Sequence, residues 1–405
     1  MTPAGAVAAA LRDVPGPVGV AVSGGGDSMA LLAAALEAGV ELRVATVDHG
    51  LRSESADEAA EVARFCAVRG VPHETLAWRW DRAGNLPARA RQGRLDALAA
   101  WAVPHRLSAV LLGHTRDDVA ETFLMRLSRR AGVDGLSAMT PAFRHDDILF
   151  LRPFLDQSRG GLRDFLRDRC FTWIDDPSND DPSYERTRAR QALGALAPLG
   201  IDVGILSDVA DQMRAAQIAL DAGVLGLVER GVRQDGGDLL LAPAVLDAPE
   251  ELVRRLHAAA LRWIGRLPYP PRRAELERFV AAARAGRPAT LAGVQLVPGR
   301  EGLRLSREFA AVRDLSTPTT ALWDGRWRLH GPHTPGLSVQ ALGAEGLTAC
   351  PDWRETGRPR AALLATPAVW SESGLVAAPL VGYPNGWRAD VATFRDEIAA
   401  PPPGN

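Results

Sequence analysis

The stretch VGVAVSGGGDSMALLAAALEA, residues 18–38, joins a short apolar run, three glycines flanked by serines, and a run of apolar residues with helical spacing. This order predicts a buried strand, a tight turn and a helix. A glycine-rich turn at a helix start presents backbone N–H groups to an anion, and the helix dipole favours negative charge there. The stretch therefore predicts a phosphate-binding loop.

The residues around the glycines exclude two common phosphate-binding loops. A Walker loop requires Gly-Lys-Ser/Thr, but Asp27 follows the glycines and the 405-residue chain contains no lysine. A dinucleotide fingerprint requires a third glycine, where this chain has Met29. The hydroxyls of Ser23 and Ser28 suit phosphate, and the carboxylate of Asp27 suits Mg²⁺.

The first half of the chain alternates between strand and helix patterns. Short β-branched runs predict strands at 17–24, 42–48, 73–78 and 108–114, and apolar residues at three- and four-residue spacing predict helices at 27–38, 55–70, 86–102 and 117–130. This alternation predicts an α/β fold with a doubly wound parallel sheet. Ligands of such sheets bind at the carboxyl ends of the strands.

The second half has a different pattern. Residues 205–286 read mainly as helices, with a strand-like break at 236–243, and residues 289–308 read as a hairpin. Beyond residue 313 the chain is rich in Pro, Gly, Trp and short alternating runs. We therefore expect three domains: an α/β domain at 1–200, a mainly helical domain at 201–312, and a small β-rich domain at 313–405.

Composition narrows the class of protein further. The net charge of −2 gives no overall basic signature for nucleic acid, so any such surface is local. Cys66, Cys170 and Cys350 are far apart, which argues against a disulfide framework or a zinc motif. The N-terminus lacks the pattern of a secretory signal, and no long apolar run suggests a membrane span. We expect a cytoplasmic protein without a membrane partner.

The end of the second predicted strand carries polar residues. The segment TVDHGLR, residues 46–52, places Asp48, His49 and Arg52 at the sheet edge where the glycine loop is expected. These three residues are candidates for the site, although an ordinary turn would also explain them.

The segment GHTRDDVAET, residues 113–122, begins at the end of the fourth predicted strand. His114, Asp117, Asp118 and Glu121 recur at helical spacing and so share one helix face. Acidic residues in a first helical turn also complement the helix dipole and act as caps. Capping explains the two aspartates but neither Glu121 nor His114, which favours a functional role for this face.

A fourth motif is WIDDPSNDDPSYERTRAR, residues 173–190. Its Asp-Pro-Ser-Asn core is typical of a turn, and Arg186, Arg188 and Arg190 follow at alternate positions. These arginines are candidates for contacts with phosphates, although a solvated charged face would also explain them.

Taken together, these motifs resemble a known family. SGGGDS resembles the SGGxDS loop of the PP-loop ATP pyrophosphatases. DHGLR, GHTRDDVAET and the 173–190 motif, in this order, resemble the tRNA(Ile)-lysidine synthetases, as does LRPFLDQSR at 151–159. The resemblance covers about the first 190 residues; Tyr184, Thr187 and Ala189 depart from the family's Phe, Asn and Ile.

The resemblance implies an ATP-dependent carbon–nitrogen ligase. Such an enzyme adenylates the wobble cytidine of CAU-anticodon tRNA(Ile) and then joins free lysine to it, which gives lysidine, AMP and pyrophosphate. It implies ATP binding by the glycine loop, Asp48 and His49, with Mg²⁺ on Asp27. It also implies catalysis by His114, Asp117 and Glu121, tRNA or phosphate contacts by Arg52, Arg186, Arg188 and Arg190, and tRNA binding by the second domain. A homodimer is an open alternative to a monomer.

Two other classes remain as alternatives. A tRNA thiolase of the same fold would need paired cysteines, which this chain lacks, and other PP-loop synthetases lack the DPSN and RTRAR segments. A non-catalytic module that binds tRNA or ATP would not need the carboxylates of the DDVAET helix.

Overall fold

The computed structural model describes residues 1–50, 55–79, 86–175, 181 and 183–399. These residues form two compact units, Met1–Ile218 and the described residues after Ile218. The expected division into three domains, at 1–200, 201–312 and 313–405, stays a prediction.

The first unit alternates strands and helices along the chain. Its elements are α1 Pro3–Ala10, β1 Val18–Ala21, α2 Gly26–Glu37, β2 Leu42–Asp48, α3 Ser55–Val68, β3 His73–Ala77, α4 Leu86–Ala102, β4 Ala109–Leu111, α5 Arg116–Ser128, α6 Val133–Leu136, β5 Ala142–His145, β6 Ile148–Leu151, α7 Arg159–Arg167, α8 Glu185–Leu196 and the start of α9 Val203–Gly231. The four predicted strands are β1 to β4, and the four predicted helices are α2 to α5. The sequence prediction of an α/β fold is confirmed.

The six strands form one sheet in the order β3-β2-β1-β4-β6-β5. β1 pairs in parallel with both β2 and β4, and β5 alone is antiparallel, against β6. The chain runs outward from β1 to β3 on one side and resumes at β4 on the other, so the connections after β1 and β4 diverge. Such a switch point opens a crevice at the carboxyl ends of the strands.

The sheet is buried on both faces. Along β2, Val44 packs with α1, α2, α3 and α7, whereas the next residue, Ala45, packs with α4. In β4, Leu111 likewise packs in the cluster of α1, α2, α3 and α7, and Val110 packs in the cluster of α4. Because successive side chains of a strand point to opposite faces, two helical layers bury most residues of the central strands β1, β2 and β4, which explains the nearly continuous apolar runs there.

The hairpin of β5 and β6 is an element that the sequence analysis missed. Its turn residues Asp146 and Asp147 both have positive φ, 46° and 63°. This conformation is that of a two-residue hairpin turn, which Asp tolerates better than most residues. The hairpin brings β6 beside β4 and so places the N-terminus of α7 at the crevice.

The described residues after Ile218 form helices and three small antiparallel groups of strands. The elements are β7 Val232–Asp235, β8 Asp238–Leu241, α10 Glu250–Gly265, α11 Arg273–Arg284, β9 Ala289–Leu291, β10 Val294–Gly299, β11 Gly302–Arg307, β12 Ser316–Pro318, β13 Trp327–His330, β14 Ser338–Ala341, α12 Gly343–Thr348, α13 Arg360–Leu364, β15 Pro367–Ser371, β16 Gly374–Ala377, β17 Arg388–Val391 and α14 Phe394–Ala399.

The hairpin expected at 289–308 is present as β10 and β11. It belongs to a five-stranded sheet, β7-β8-β11-β10-β9, that also includes the strand-like break at 236–243. The last part of the chain contains a four-stranded sheet, β12-β14-β15-β16, and the pair β13–β17. The β-rich character expected beyond residue 313 is confirmed.

Within the described ranges, no single helix is both long and apolar enough to cross a membrane. One sharply bent pair among the same described residues, Glu185–Leu199 with Val203–Gly231, meets that test by length and composition when the two helices are counted together.

Candidate active site

The glycine loop connects β1 to α2 and is held in place by a later segment. Gly24 has a φ of +91°, and its carbonyl accepts a hydrogen bond from the backbone N–H of Ile174 at 2.9 Å. Gly25 is the N-cap of α2 and no side chain caps the helix, so the N–H groups of the first turn remain available to an anion. The geometry is that of a phosphate-binding loop.

The two serines of the loop brace it from within. The Ser23 backbone N–H donates to Ser28 Oγ at 3.1 Å, and the Ser28 hydroxyl donates to the Gly25 carbonyl at 2.9 Å. Gly113, after β4, brings the neighbouring strand end close, because a Cβ there would lie 3.1 Å from the carbonyl oxygen of Asp27. The ends of β1 and β4 therefore meet at the loop.

The carboxylates of α5 face this meeting point. Asp118 closes a capping box with Thr115, whose backbone N–H donates to Asp118 Oδ2 at 2.8 Å. Asp117 Oδ2 instead accepts the backbone N–H of Arg159 at 2.8 Å, and Glu121 is fully buried. Capping thus accounts for one oxygen of Asp118, and Glu121 has no structural role in the cap.

Arg159, which the sequence analysis did not single out, joins these carboxylates. Its guanidinium lies 3.2 Å from Asp27 Oδ2 through Nε, 3.0 Å from Glu121 Oε1 through Nη1 and 3.4 Å from Asp118 Oδ1 through Nη2. It occupies the first position of α7, where the helix dipole disfavours a cation. A cation is unfavourable in the first turn of a helix unless an anion lies nearby. Arg159, at the start of a helix that follows a strand, was therefore the signal in the sequence for a carboxylate partner.

Two of the three predicted arginines reach the same cluster. α8 is a helix, so Arg186 and Arg190 lie one turn apart on one face, with Arg186 Nη1 3.6 Å from Asp118 Oδ1 and Arg190 Nε 2.6 Å from Glu121 Oε1. Arg188 is exposed, and its Nη1 donates to the Ser183 carbonyl at 2.8 Å. The structure brings Arg186 and Arg190 to the carboxylates and leaves Arg188 outside.

The carboxylates offer oxygens that suit a cation. Asp27 Oδ1 and Glu121 Oε2 are buried and have no hydrogen-bond partner among the described residues. Burial raises the pKa of the Asp27 carboxyl above its ordinary value, and the neighbouring Arg159 offsets this only in part. Such hard oxygen donors fit Mg²⁺, and the metal role of Asp27 stays a prediction.

His114 lies among arginines. It is 9% exposed, and its Nδ1 has no hydrogen-bond partner in the part of the chain that the structure describes. Burial, reinforced by the positive charges of Arg94 and Arg152, places the pKa of His114 well below its ordinary value. Burial also lowers the pKa of Arg94 to about 10 and that of Arg152 to about 9. His114 is therefore a neutral imidazole at neutral pH.

Asp48 and His49 follow β2. Asp48 Oδ1 accepts hydrogen bonds from the Gly50 N–H at 2.9 Å and the Ser55 hydroxyl at 2.6 Å, and the Ser55 bond lowers the pKa of the Asp48 carboxyl. The ring of His49 packs edge-on against Trp78, and burial lowers the pKa of His49. Both residues shape a turn at the sheet edge. Arg52 and the DPSN turn, residues 176–179, lie outside the described residues.

The sheet order and the glycine loop beside a carboxylate cluster define a PP-loop ATP-binding protein, and residues 8–196 match the family model described as a PP-loop domain. Three relatives narrow the class. The tRNA(Ile)-lysidine synthase of Ruegeria pomeroyi is 50% identical over 95% of this chain and 94% of its own length. The enzyme of Hyphomonas neptunium is 37% identical over 72% of this chain and 82% of its own length. That of Zymomonas mobilis is 35% identical over 69% of this chain and 85% of its own length. The chain belongs to the tRNA(Ile)-lysidine synthase family, as the sequence motifs indicated.

Substitutions in the glycine loop are expected to separate folding from ligand binding. Ala at position 24 would adopt a positive φ and place its Cβ 2.8 Å from Ile174 Cδ1, so we expect the free energy of unfolding to fall by more than ~1 kcal/mol. Gly25 has a φ of −70°, and the nearest atom to a Cβ there, Ser23 Oγ, is at 3.7 Å. Gly25→Ala should therefore fold normally but bind ATP more weakly, because its methyl group lies where phosphate approaches.

Thermal unfolding and ATP titration calorimetry on both variants check this. A Gly25→Ala variant that binds ATP as tightly as the wild type would show that phosphate does not approach the loop at this residue.

The burial of His114 predicts a pH effect on stability. Since the folded-state pKa of His114 lies below that of an unfolded histidine, about 6.5, the unfolded chain takes up the proton first as pH falls. Stability is therefore lost on acidification, and His114→Gln should reduce the drop in melting temperature between about pH 7.5 and about pH 5.5. His330→Gln is the control: this exposed histidine has its Nε2 3.2 Å from Asp390 Oδ2, which favours its protonated form, so its loss should not reduce the drop. An equal drop in His114→Gln and the wild type would contradict the assignment.

Proposed function

We propose that this chain ligates free lysine to C2 of the wobble cytidine of CAU-anticodon tRNA(Ile), consuming ATP and releasing AMP and pyrophosphate. The observation that carries the proposal is the position of the glycine loop, which lies beside buried carboxylates and arginines at the ends of β1, β4 and β6. Family membership supports the reaction, and the loop supports its use of ATP.

The first step is adenylation of the base. The C2 carbonyl oxygen of the cytosine attacks the α-phosphate of ATP, and the bond to the leaving pyrophosphate breaks. The N–H groups at Gly24 to Gly26 and the hydroxyls of Ser23 and Ser28 bind the pyrophosphate, whose negative charge grows as it leaves. Asp27, with Glu121 beside it, would hold Mg²⁺, which supplies further neutralisation of the phosphates when bound.

The second step joins lysine to the activated base. The ε-ammonium of lysine gives a proton to a carboxylate, the amine lone pair attacks C2, and AMP leaves with the former carbonyl oxygen. Asp117 is suited to accept this proton because it is only half-buried and, among the described residues, only its Oδ2 is engaged, by the Arg159 N–H. Glu121, fully buried against Arg159 and Arg190, provides fixed negative charge for the ammonium.

The arginines supply contacts for the RNA and the nucleotide. The net charge of −2 leaves binding of a polyanion to local groups. Arg186 lies at the edge of the cluster, about two-fifths exposed, and Arg188 is exposed on the same helix. We assign both arginines to contacts with phosphates. Arg190 instead holds the carboxylate of Glu121 in position. The neutral His114 would donate or accept a hydrogen bond at the bound nucleotide.

The reaction is tested with purified protein, ATP, Mg²⁺, radiolabelled lysine and CAU-anticodon tRNA(Ile). We expect label in acid-precipitated RNA only when ATP and this tRNA are both present. The matched control is the methionine tRNA with the same anticodon, which should remain unlabelled. No label in tRNA(Ile) would refute the ligase proposal, and equal label in both tRNAs would refute its specificity.

Substitution of the proposed base should separate the two steps. Asp117→Asn keeps the size of the side chain but cannot take up the proton, so lysine incorporation should fall about 100-fold or more. Pyrophosphate release on first exposure to ATP and tRNA should be nearly unchanged. Asp147→Asn, in the exposed hairpin turn, is the matched control and should behave as the wild type. If Asp117→Asn lowered both steps equally, Asp117 would not be the base of the second step.

A further inference from the structure

The guanidinium of Arg159 lies at the centre of a pocket formed by the carboxylates of Asp27, Asp117, Asp118 and Glu121. Arg159 contacts Asp27, Asp118 and Glu121 through three different nitrogens, and its backbone N–H is bound by Asp117. The Arg159 side chain is 20% exposed and Glu121 is fully buried, so these contacts lie largely out of water. A guanidinium group stays charged at neutral pH, so Arg159 is a fixed cation among these carboxylates.

The charges in the pocket explain why a cation is needed there. Glu121 and Asp118 each have a second arginine partner, Arg190 and Arg186 respectively, and two arginines of α4 also act on Asp118. Asp27, by contrast, pairs with Arg159 alone among the described residues. Without Arg159, the half-buried Asp27 would keep only the repulsion of the neighbouring carboxylates, which is weakly screened there. Arg159 is therefore the cation that neutralises Asp27.

The same pocket also has oxygens that a metal ion could use. Glu121 Oε2 is fully buried and, among the described residues, has no hydrogen-bond partner, and the same holds for Asp27 Oδ1. Arg159 contacts the other oxygen of each carboxylate, Glu121 Oε1 and Asp27 Oδ2. A divalent ion bound to either carboxylate would therefore come within a few ångströms of the guanidinium, where two cations repel each other strongly.

We infer that Arg159 is a resident cation that competes with the divalent metal for Asp27 and Glu121, and that it leaves these carboxylates when the metal enters. This inference rests on the metal role in the proposed function and adds a regulation of the same site. Because Arg159 already pairs with both carboxylates, the metal enters favourably only together with the phosphates of ATP. Those phosphates offer the displaced guanidinium a new anionic partner.

The experiment measures Mn²⁺ binding, as a paramagnetic probe for Mg²⁺, in the absence of nucleotide, tRNA and lysine. Free Mn²⁺ is followed by electron paramagnetic resonance in wild type, Arg159→Gln and Arg159→Lys. Arg159→Gln should bind Mn²⁺ about tenfold tighter or more, because it removes a positive charge next to the ion. Arg159→Lys should fall between the two, at least about threefold tighter than wild type, because one ammonium cannot contact three separated carboxylates at once.

Two further variants locate the effect. Arg169→Gln removes a charge just beyond α7 that pairs with Glu37 on the surface, and it should bind Mn²⁺ as the wild type does. Addition of Asp27→Asn to Arg159→Gln should abolish the gain in affinity. If Arg159→Gln does not fold, as judged by circular dichroism, Arg159→Lys decides the question alone.

Unchanged or weaker Mn²⁺ binding by the folded Arg159 variants would overturn the inference, and so would a gain that persists in the double variant with Asp27→Asn. Because no tRNA or lysine is present, the result is independent of the ligase assay. Failure of lysine incorporation would refute the proposed function and leave the competition between Arg159 and the metal standing.

Discussion

The site depends on the attraction between Arg159 and several carboxylates, and these groups together come from three separate strand ends. Asp27 follows β1, Glu121 lies on the helix after β4, and Arg159 begins the helix after β6. Each group would be unfavourable where it is without the others, because half-buried charges need partners. The mutual neutralisation allows the three connections to converge in one crevice, next to a loop built to bind phosphate.

The fold supplies this convergence through its topology. Parallel strands place all their carboxyl ends at one edge, and the reversal of strand order between β1 and β4 opens the crevice there. The segment after α7 returns to the loop, where Ile174 binds the backbone of Gly24. Phosphate-binding backbone, acidic side chains and arginines thus come from positions more than 130 residues apart in sequence. Adenylation chemistry needs all three in one place, which explains why the motifs are spread over the first half of the chain.

Local patterns predicted much of this arrangement. The glycine loop, the four parallel strands and the acidic face of α5 follow from periodicity and turn chemistry, which act over a few residues. The expectation that His114 shares this helix face is wrong, because α5 begins at Arg116 and His114 precedes its N-cap. Arg159 was missed because its partners become visible only when β4 and β6 are paired. The β5–β6 hairpin was missed because the two aspartates of its turn lack the glycine that usually marks one. The sequence shows Arg186, Arg188 and Arg190 at alternate positions, and only the helix α8 separates Arg188 from the other two.

The central claim is that this crevice adenylates a base of tRNA before lysine takes part. Exchange of labelled pyrophosphate into ATP measures this step directly, since only a reversible adenylation returns label to ATP. The account predicts exchange that requires CAU-anticodon tRNA(Ile) and proceeds without lysine. Exchange that depends on lysine, or that is equally fast without tRNA, would contradict it, because the oxygen attacking ATP would then belong to the amino acid or to another acceptor.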